Sequence, residues 1–191
     1  MTARADNVVL VASIQQSGTH TLRAIVKGEG YRRIMRKPGQ FNLARPGDLL
    51  HSHFWDRDYG HIVKYSSIYP TVIPLRHPTA VALSWHARHK AHRRNQLQAE
   101  WDNLADFDEK HGEHAFYFAM ERYPLDELEQ YLGTGVHRQV PRLGVIGPYP
   151  EKRLWENGEI EQLRRTEAEW AVGFGAETVR DNPVARRFYA E

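Results

Sequence analysis

A polar run at residues 15–21 is the first stretch of this chain whose residue types are suited to chemistry. It follows an apolar run at residues 8–12 and leads into a segment with helical spacing. This order places several backbone N–H groups at the N-terminus of a helix, where unpaired donors and the helix dipole favour a bound phosphate. Gly18 permits close approach of the backbone to a ligand, and the serine and threonines add hydroxyl groups. The pattern predicts an anion-binding loop, although an ordinary strand-to-helix turn with a polar cap has a similar composition.

The run differs from the phosphate loop of proteins that hydrolyse ATP or GTP. That loop has the form GxxxxGK[ST], in which a lysine follows the second glycine. Here the first glycine is absent, no lysine follows Gly18, and His20 stands two positions after it. Hydrolysis of ATP or GTP is therefore not predicted.

A second candidate anion site lies further along the chain. Arg76 follows the strand-like stretch Thr71–Leu75, and Ser84 comes eight residues later, two turns into a helix that His77 and Pro78 are expected to open. An arginine at the carboxyl end of a strand can bind a phosphate through its N–H groups, assisted by the serine hydroxyl. The alternative is a surface arginine and an unrelated helical serine.

The elements that must position these residues alternate between strands and helices. The predicted strands are 8–12, Asp48–His53 and Thr71–Leu75, and Pro74 is expected to lie at a strand end or to mark an edge strand. The predicted helices are 18–27, the segment opening at Pro78, most of 96–132 with a break at Pro124, and 159–172, with a loop at 133–150. This alternation predicts a single-domain α/β fold, with a P-loop-like parallel sheet flanked by helices.

Composition limits the class of protein. The chain has 191 residues, 41% of them apolar, which suits one globular domain with a substantial core. A net charge of +2 does not favour a nucleic-acid-binding protein. There is no cysteine, which excludes disulfides and thiolate metal sites. We find no signal peptide and no run of about 20 apolar residues, and we expect a soluble, cytoplasmic protein without a membrane partner.

The motifs together resemble the sulfotransferases that use 3′-phosphoadenosine 5′-phosphosulfate (PAPS) as donor. The 5′-phosphosulfate loop of that family has the form PKSGTTW, and the residues that match it here are Gln16, Ser17, Gly18, Thr19, His20 and Thr21. A 3′-phosphate motif resembling RNPxDxxxSxY is matched by Arg76, Pro78, Ser84 and Trp85. A later loop resembling RKGxxGxW is matched by Arg142, Gly144 and Gly147, and a family histidine after the second strand is matched by His53.

The resemblance implies transfer of a sulfuryl group from PAPS to an acceptor hydroxyl or amine, without a metal. The loop at residues 16–21 would hold the 5′ end of the donor. The residues that would hold its 3′-phosphate are Arg76, Ser84, Arg142 and Gly144. The chain is short for the family, so we expect an open cleft and a small-molecule or glycan acceptor; the oligomeric state stays open.

His53 is the candidate general base, which would take the proton of the acceptor as the bond to sulfur forms. A histidine near its ordinary pKa of about 6.5 is suited to this role at neutral pH. His51 is a rival, because strand alternation places both side chains on one face.

Gln16 stands where the family has a lysine that contacts the sulfuryl group, and a glutamine brings no charge. His20 could substitute for that lysine, or Arg88 or Lys90 could reach in. Otherwise the protein binds the nucleotide with slow turnover or none. Two alternatives to a sulfotransferase therefore stay open: a weak or inactive binding protein for PAPS or its desulfated product (PAP), and, less favoured, a P-loop kinase.

Two further stretches have both functional and structural interpretations. Residues 86–94 hold three histidines and four lysines or arginines. They are compatible with a metal site or a nucleic-acid patch, but a basic rim near the 3′-phosphate or a solvated helix face is preferred. The aromatic residues between 116 and 123 could line an acceptor pocket, although core packing is preferred, and Trp55 could flank the acceptor or the adenine.

Overall fold

Five short stretches rich in aliphatic or aromatic residues form one sheet. The structure is a computed structural model that describes residues 7–27, 33–89, 94–136, 138 and 157–190. Within these residues the strands are β1 (Val9–Ser13), β2 (Arg33–Met35), β3 (Asp48–His53), β4 (Thr71–Leu75) and β5 (Ala115–Ala119). Neighbouring strands run parallel, in the order β2–β3–β1–β4–β5.

Helical segments connect and cover the strands. They are α1 (Thr19–Lys27), α2 (Asp56–Ser66), α3 (Pro78–His89), α4 (Arg94–His111), α5 (Leu125–Leu132), α6 (Asn157–Asp181) and α7 (Pro183–Tyr189), with short 3₁₀ helices at Pro38–Leu43 and Gly112–His114. Parallel neighbours require crossover connections, which these segments supply. None of the helices in the described ranges is long and apolar enough to cross a bilayer.

β1 lies at the centre of the sheet and is buried on both faces. On one face, Val9 and Val11 pack with apolar residues of α1 and α5. On the other face, Ala12 packs with apolar residues of α2, α3, α4, α6 and α7. Burial on both faces explains the near-continuous apolar sequence of this strand. The prediction of an α/β fold with a parallel sheet between helices is confirmed.

The carboxyl ends of these parallel strands lie along one edge of the sheet, which we call the carboxyl edge. The loop after β1, His53 at the end of β3 and Arg76 after β4 all lie there. Ser13 is directly opposite His53 in the register of β1 and β3. Neighbouring strands are about 4.8 Å apart, so three adjacent strands bring the predicted residues within reach of one small ligand.

The prediction of helix through residues 115–119 was wrong, because this segment is strand β5. Its sequence is rich in aromatic residues, which fit a pleated, half-buried surface better than a helix. Phe118 is fully buried, and Phe116 and Tyr117 pack against the two sides of the core.

β4 is an interior strand, so the edge position suggested by Pro74 was wrong, although Pro74 does lie next to the last residue of the strand. The main chain of Pro70 faces β1, since its carbonyl accepts a hydrogen bond from the Leu10 N–H at 2.9 Å. Pro74 has the same orientation, but the pairing of β1 with β4 extends only to Val72. An N–H at position 74 would point towards β1 beyond the last residue of β4 that pairs with it. Proline at this position therefore removes no hydrogen bond between β1 and β4. The short edge strand β2 was not predicted.

α6 is longer than the predicted helix at 159–172, and it packs closely on α3. A Cβ added at Gly175 would lie 2.7 Å from the backbone nitrogen of Thr79 and 2.9 Å from its Cα. The two helices therefore meet main chain to main chain at the first turn of α3, just after Arg76. Most of the predicted loop at 133–150 lies outside the described residues.

Candidate functional site

The loop after β1 turns sharply before α1 begins. Gln16 and Gly18 have φ angles of 68° and 94°, a region that glycine adopts without strain and other residues adopt rarely. The hydroxyl and the N–H of Ser17 both donate to the carbonyl of Ile14, at 2.7 and 3.3 Å, and this closes the turn. α1 then starts at Thr19, and a helix start presents N–H groups that its own carbonyls cannot reach. The loop thus has the form expected of an anion site.

A buried hydroxyl at the start of α1 has no hydrogen-bond partner among the described residues. It belongs to Thr19, which is 5% exposed. Leaving a buried hydroxyl unsatisfied costs about 1–3 kcal/mol, so such groups ordinarily find a partner. A phosphate or phosphosulfate at the loop would satisfy it, and the residues present therefore fit such a ligand. On the same turn, His20 is exposed and Thr21 is half-buried.

Arg76 and Ser84, the predicted second anion site, are brought together by the fold. Nη1 of Arg76 donates to Oγ of Ser84 across 3.1 Å, and both residues are half-buried. None of the ion pairs among the described residues involves Arg76. Because β4 is the neighbour of β1, this pair and the loop occupy adjacent positions along the carboxyl edge.

His53 contacts Ser13 on the neighbouring strand. Its Nδ1 is 2.9 Å from Ser13 Oγ and 3.3 Å from the Ser13 carbonyl oxygen. A carbonyl can only accept, so the proton of the neutral ring is assigned to Nδ1 and the lone pair to Nε2, which makes no hydrogen bond within the described residues. Burial lowers the pKa of His53 to about 4, against the opposing effect of the Ser13 hydrogen bond and with a smaller contribution from the positive charge of Arg23. This value is well below the ordinary pKa expected from the sequence.

His51 lies on the same face of β3, with 4.6 Å between the centroids of the two imidazole rings. Its Nδ1 accepts a hydrogen bond from Arg23 at 3.2 Å, and its Nε2 is 3.5 Å from Ser13 Oγ. Burial, followed by the charges of neighbouring basic groups, lowers the pKa of His51 to about 2. Both ring nitrogens are therefore engaged, and the geometry favours His53 over His51 as a proton acceptor.

Arg23 was not predicted as a site residue, yet it lies between two histidines of the site. Besides its bond to His51, its Nη2 donates to Nδ1 of His20 at 3.0 Å. It is 6% exposed, and its Nε has no hydrogen-bond partner among the described residues. Burial is the main cause that lowers its pKa, and the charge of Arg36 adds to the effect. Its spacing in the sequence could have indicated this role. Arg23 is four residues after Thr19 and three after His20, so the three side chains share one face of a helix.

Glu100 was not predicted either. It is fully buried on α4, and its carboxyl group accepts hydrogen bonds from the N–H of Gln15 at 2.7 Å and from Nε1 of Trp55 at 2.8 Å. Burial, opposed by these two hydrogen bonds, raises its pKa to about 8. The available signal was its position on the apolar face of α4, between Leu97 and Leu104, where an acidic residue is unusual.

A cleft of about 760 Å³ opens beside Glu100. Its lining comes from the end of β3, the start of α2 and the first two turns of α4, namely Phe54, Trp55, Asp56, Arg57, Asn95, Gln96, Ala99 and Glu100. The Trp55 ring lies 5.0 Å from the ring of His53, and the Arg57 guanidinium lies 4.2 Å over the indole. A molecule in this cleft would therefore lie beside the His53 end of the carboxyl edge.

No family model matches this chain, and no curated protein matches it. Among solved structures it is similar to mouse sulfotransferase SULT7A1 complexed with PAP. The two share 13% sequence identity with a TM-score of 0.47 over 87% of this chain, which spans 65% of the length of the mouse structure.

Several predicted residues lie outside the described part of the chain. They are Arg142, Gly144, Gly147 and Lys90, together with the side chains of His86, Arg88 and His89. Trp85, the last residue of the predicted 3′-phosphate motif, is buried in the core. Within the described ranges, no three histidine, aspartate or glutamate side chains gather as a metal-ligand set.

Proposed function

We propose that this chain is a sulfotransferase, which moves a sulfuryl group from PAPS to an acceptor hydroxyl. The observation that carries the proposal is the grouping of three features along the carboxyl edge: the loop after β1, the Arg76–Ser84 pair after β4, and His53 at the end of β3. Two anion sites on neighbouring strands suit a nucleotide that bears phosphate groups at both ends. A neutral histidine beside them suits proton abstraction.

The donor would be held at two points. The loop at residues 16–21 supplies main-chain N–H groups and the Thr19 hydroxyl to the 5′-phosphosulfate. Arg76, with Ser84 at 3.1 Å, supplies donors to the 3′-phosphate. Arg142 and Gly144 would complete the 3′ site, as the resemblance to the family implies. The scheme requires no metal, because basic side chains and main-chain dipoles neutralise the phosphates.

His53 would accept the proton of the acceptor hydroxyl at Nε2 as the acceptor oxygen bonds to sulfur. The bond between sulfur and the bridging oxygen of the 5′-phosphate breaks, and PAP leaves with that electron pair. The Ser13 carbonyl accepts the hydrogen on Nδ1 and so stabilises the imidazolium that forms. Such an in-line displacement depends mostly on positioning and charge stabilisation, which residues on rigid strand ends are suited to provide.

The cleft beside Trp55 is the place for the acceptor in this proposal. Trp55 and the Arg57 guanidinium stacked on its ring line one part of the cleft, and Asn95 and Gln96 offer both donors and acceptors to hydroxyl groups. The lining therefore favours a glycan or a similar polyhydroxylated acceptor.

A PAP-binding protein with slow turnover or none is the second candidate. Two observations favour it. Gln16 brings no charge to the loop, and loss of one electrostatic donor of this kind costs about 100- to 1,000-fold in rate in other enzymes. His53, with its pKa lowered to about 4, is a weak base.

Binding of PAP, compared with ATP and Mg²⁺, tests the donor site in thermal denaturation. A ligand at about 100 times its Kd should stabilise the protein by about 2.7 kcal/mol. Arg76→Ala should remove most of this gain, whereas Arg45→Ala, an exposed arginine before the amino end of β3, should leave it intact. Equal stabilisation of the wild type and Arg76→Ala by PAP would rule out the assigned 3′ site.

Mass spectrometry after incubation with PAPS and a panel of hydroxylated acceptors separates the two candidates. The sulfotransferase should form a product heavier by one SO₃ group, and His53→Ala should abolish it. PAP binding without product, together with product formation by Gln16→Lys, would instead support the binding protein.

A further inference from the structure

Arg23 is a buried guanidinium that no carboxylate of the described residues neutralises. It is 6% exposed, and the acceptors it contacts are the Nδ1 atoms of His51 and His20, at 3.2 and 3.0 Å. The arginines of the described ranges that form ion pairs pair with carboxylates instead, namely Arg33, Arg57, Arg138, Arg180 and Arg187. Burial of an unpaired charge is strongly unfavourable, so such a group implies a counter-charge from elsewhere.

The position of Arg23 indicates where that counter-charge binds. Arg23 is one turn into α1, and side chains on a helix point back towards its N-terminus, which here is the loop after β1. At that end, the Thr19 hydroxyl and the Nε of Arg23 are both buried without hydrogen-bond partners among the described residues. Arg36 adds a further positive charge, which lowers the pKa of Arg23. This end of α1 thus has two unused donors, and the described carboxyl group bonded to the loop run, that of Glu100, has a pKa raised by burial to about 8.

The contacts of Arg23 also set the protonation of its two histidine neighbours. A guanidinium only donates hydrogen bonds, so Nδ1 of His20 and Nδ1 of His51 must both be unprotonated. The proton of each neutral ring is then on Nε2. Arg23 is in this respect a positioning residue for the histidines of the site.

We propose that Arg23 is the resident positive charge of the donor site, and that a doubly charged phosphate or phosphosulfate group bound at the loop of residues 16–21 is its counter-ion. This inference rests on the proposed function for the identity of the ligand, but not for the presence of an anion. Arg23 would supply the charge that Gln16 does not bring. The anion and Arg23 stabilise each other. Ligand binding should therefore increase the stability of the protein more than it would with an uncharged residue at position 23.

Arg23→Met tests the proposal, because it removes the charge and keeps an aliphatic side chain that can be buried. Calorimetry with PAP, inorganic phosphate and sulfate should show affinity at least about tenfold lower than that of the wild type. The ligand-free variant should be at least as stable as the wild type in urea denaturation, since an uncompensated buried charge has been removed. Arg23→Lys should retain most of the affinity, and Arg33→Met, at the amino end of the sheet, should change neither ligand binding nor the histidines.

A purely structural role for Arg23 makes the opposite prediction for the free protein. An unstable or unfolded Arg23→Met variant, or an Arg23→Lys variant that binds as weakly as Arg23→Met, would overturn the proposal. NMR of the ¹⁵N-labelled imidazoles gives an independent readout. Nδ1 of His20 and His51 should be unprotonated in the wild type, and this preference should be lost in Arg23→Met; unchanged spectra would contradict the positioning role.

The choice of ligands separates this inference from the proposed function. Arg23-dependent binding of phosphate or sulfate without binding of PAP would support the role of Arg23 and reject the PAPS donor site. PAP binding that is equally tight in wild type and Arg23→Met would reject the role of Arg23 and leave the donor site standing. No binding of any of these anions to the wild type would reject both.

Discussion

Glu100→Gln separates the charge of a buried carboxyl group from its shape. Glu100 is fully buried, and its two oxygens accept from the Gln15 N–H and from Trp55 Nε1. No ion pair among the described residues neutralises it. Glutamine fills the same space but has one acceptor oxygen instead of two, so one of these hydrogen bonds is lost at every pH. The lost hydrogen bond lowers the free energy of unfolding of the variant by the same amount at every pH. The charge of Glu100 is therefore measured by how the difference in free energy of unfolding between the two proteins changes with pH.

The magnitude follows from the pKa of Glu100, which burial raises from 4.5 to about 8. Its folded-state pKa is higher than its unfolded value, so its contribution is fully present below about pH 4.5. That contribution is lost progressively as the pH rises to about 8. At about 1.4 kcal/mol per pKa unit, the wild type should lose on the order of 4 kcal/mol relative to Glu100→Gln over this window. At neutral pH Glu100 is then mostly neutral and brings little negative charge to the loop after β1.

Urea denaturation of wild type and variant between about pH 5 and about pH 9 measures this difference. Groups common to both proteins, including His51 and His53, cancel in the comparison. Glu109→Gln, on an exposed position of α4, is the matched control and should follow the wild type. Parallel stability curves for wild type and Glu100→Gln across the range would refute the reasoning, since Glu100 would then ionise in the folded protein as it does in the unfolded chain.

Two further predictions concern the loop and the candidate base. An NMR titration of His53 in the free protein should give a pKa of about 4, and PAP should raise it because a nearby negative charge stabilises the imidazolium; a midpoint at the ordinary value without ligand would contradict the burial. Gly18→Ala should destabilise the protein by about 1–3 kcal/mol, because the φ of Gly18 is 94° and the added Cβ would lie 2.9 Å from Cγ of Met120. Gly39→Ala, which meets no atom within 4 Å, is the control in thermal denaturation and should be nearly neutral.

The parts of the site that were predictable are those encoded by local sequence. An apolar β-branched run, a polar loop with Gly18 and a helix starting at Thr19 follow one another directly, so the loop could be inferred from neighbouring residues. Arg76 and Ser84 are eight positions apart on a strand end and the next helix, a spacing that local structure alone brings together. Strand alternation likewise placed His51 and His53 on one face.

The remaining features depend on contacts between distant segments. Glu100 reaches Gln15 across 85 positions, and Arg23 reaches His51 across 28. The low pKa of His53 arises from burial, which no local pattern reveals. The aromatic residues of β5 lie inside a stretch for which the sequence predicts helix, and it is their pairing with β4 that makes the segment a strand.

The close contact of Gly175 with Thr79 has a consequence for the proposed 3′-phosphate site. Thr79 lies between Arg76 and Ser84, so the backbone that carries this pair rests directly on α6. Any side chain at position 175 would clash with the backbone of Thr79 and displace the first turn of α3 from α6. If Arg76 and Ser84 bind the 3′-phosphate as proposed, a bulky residue at position 175 should weaken that binding although it is far from both residues in the sequence.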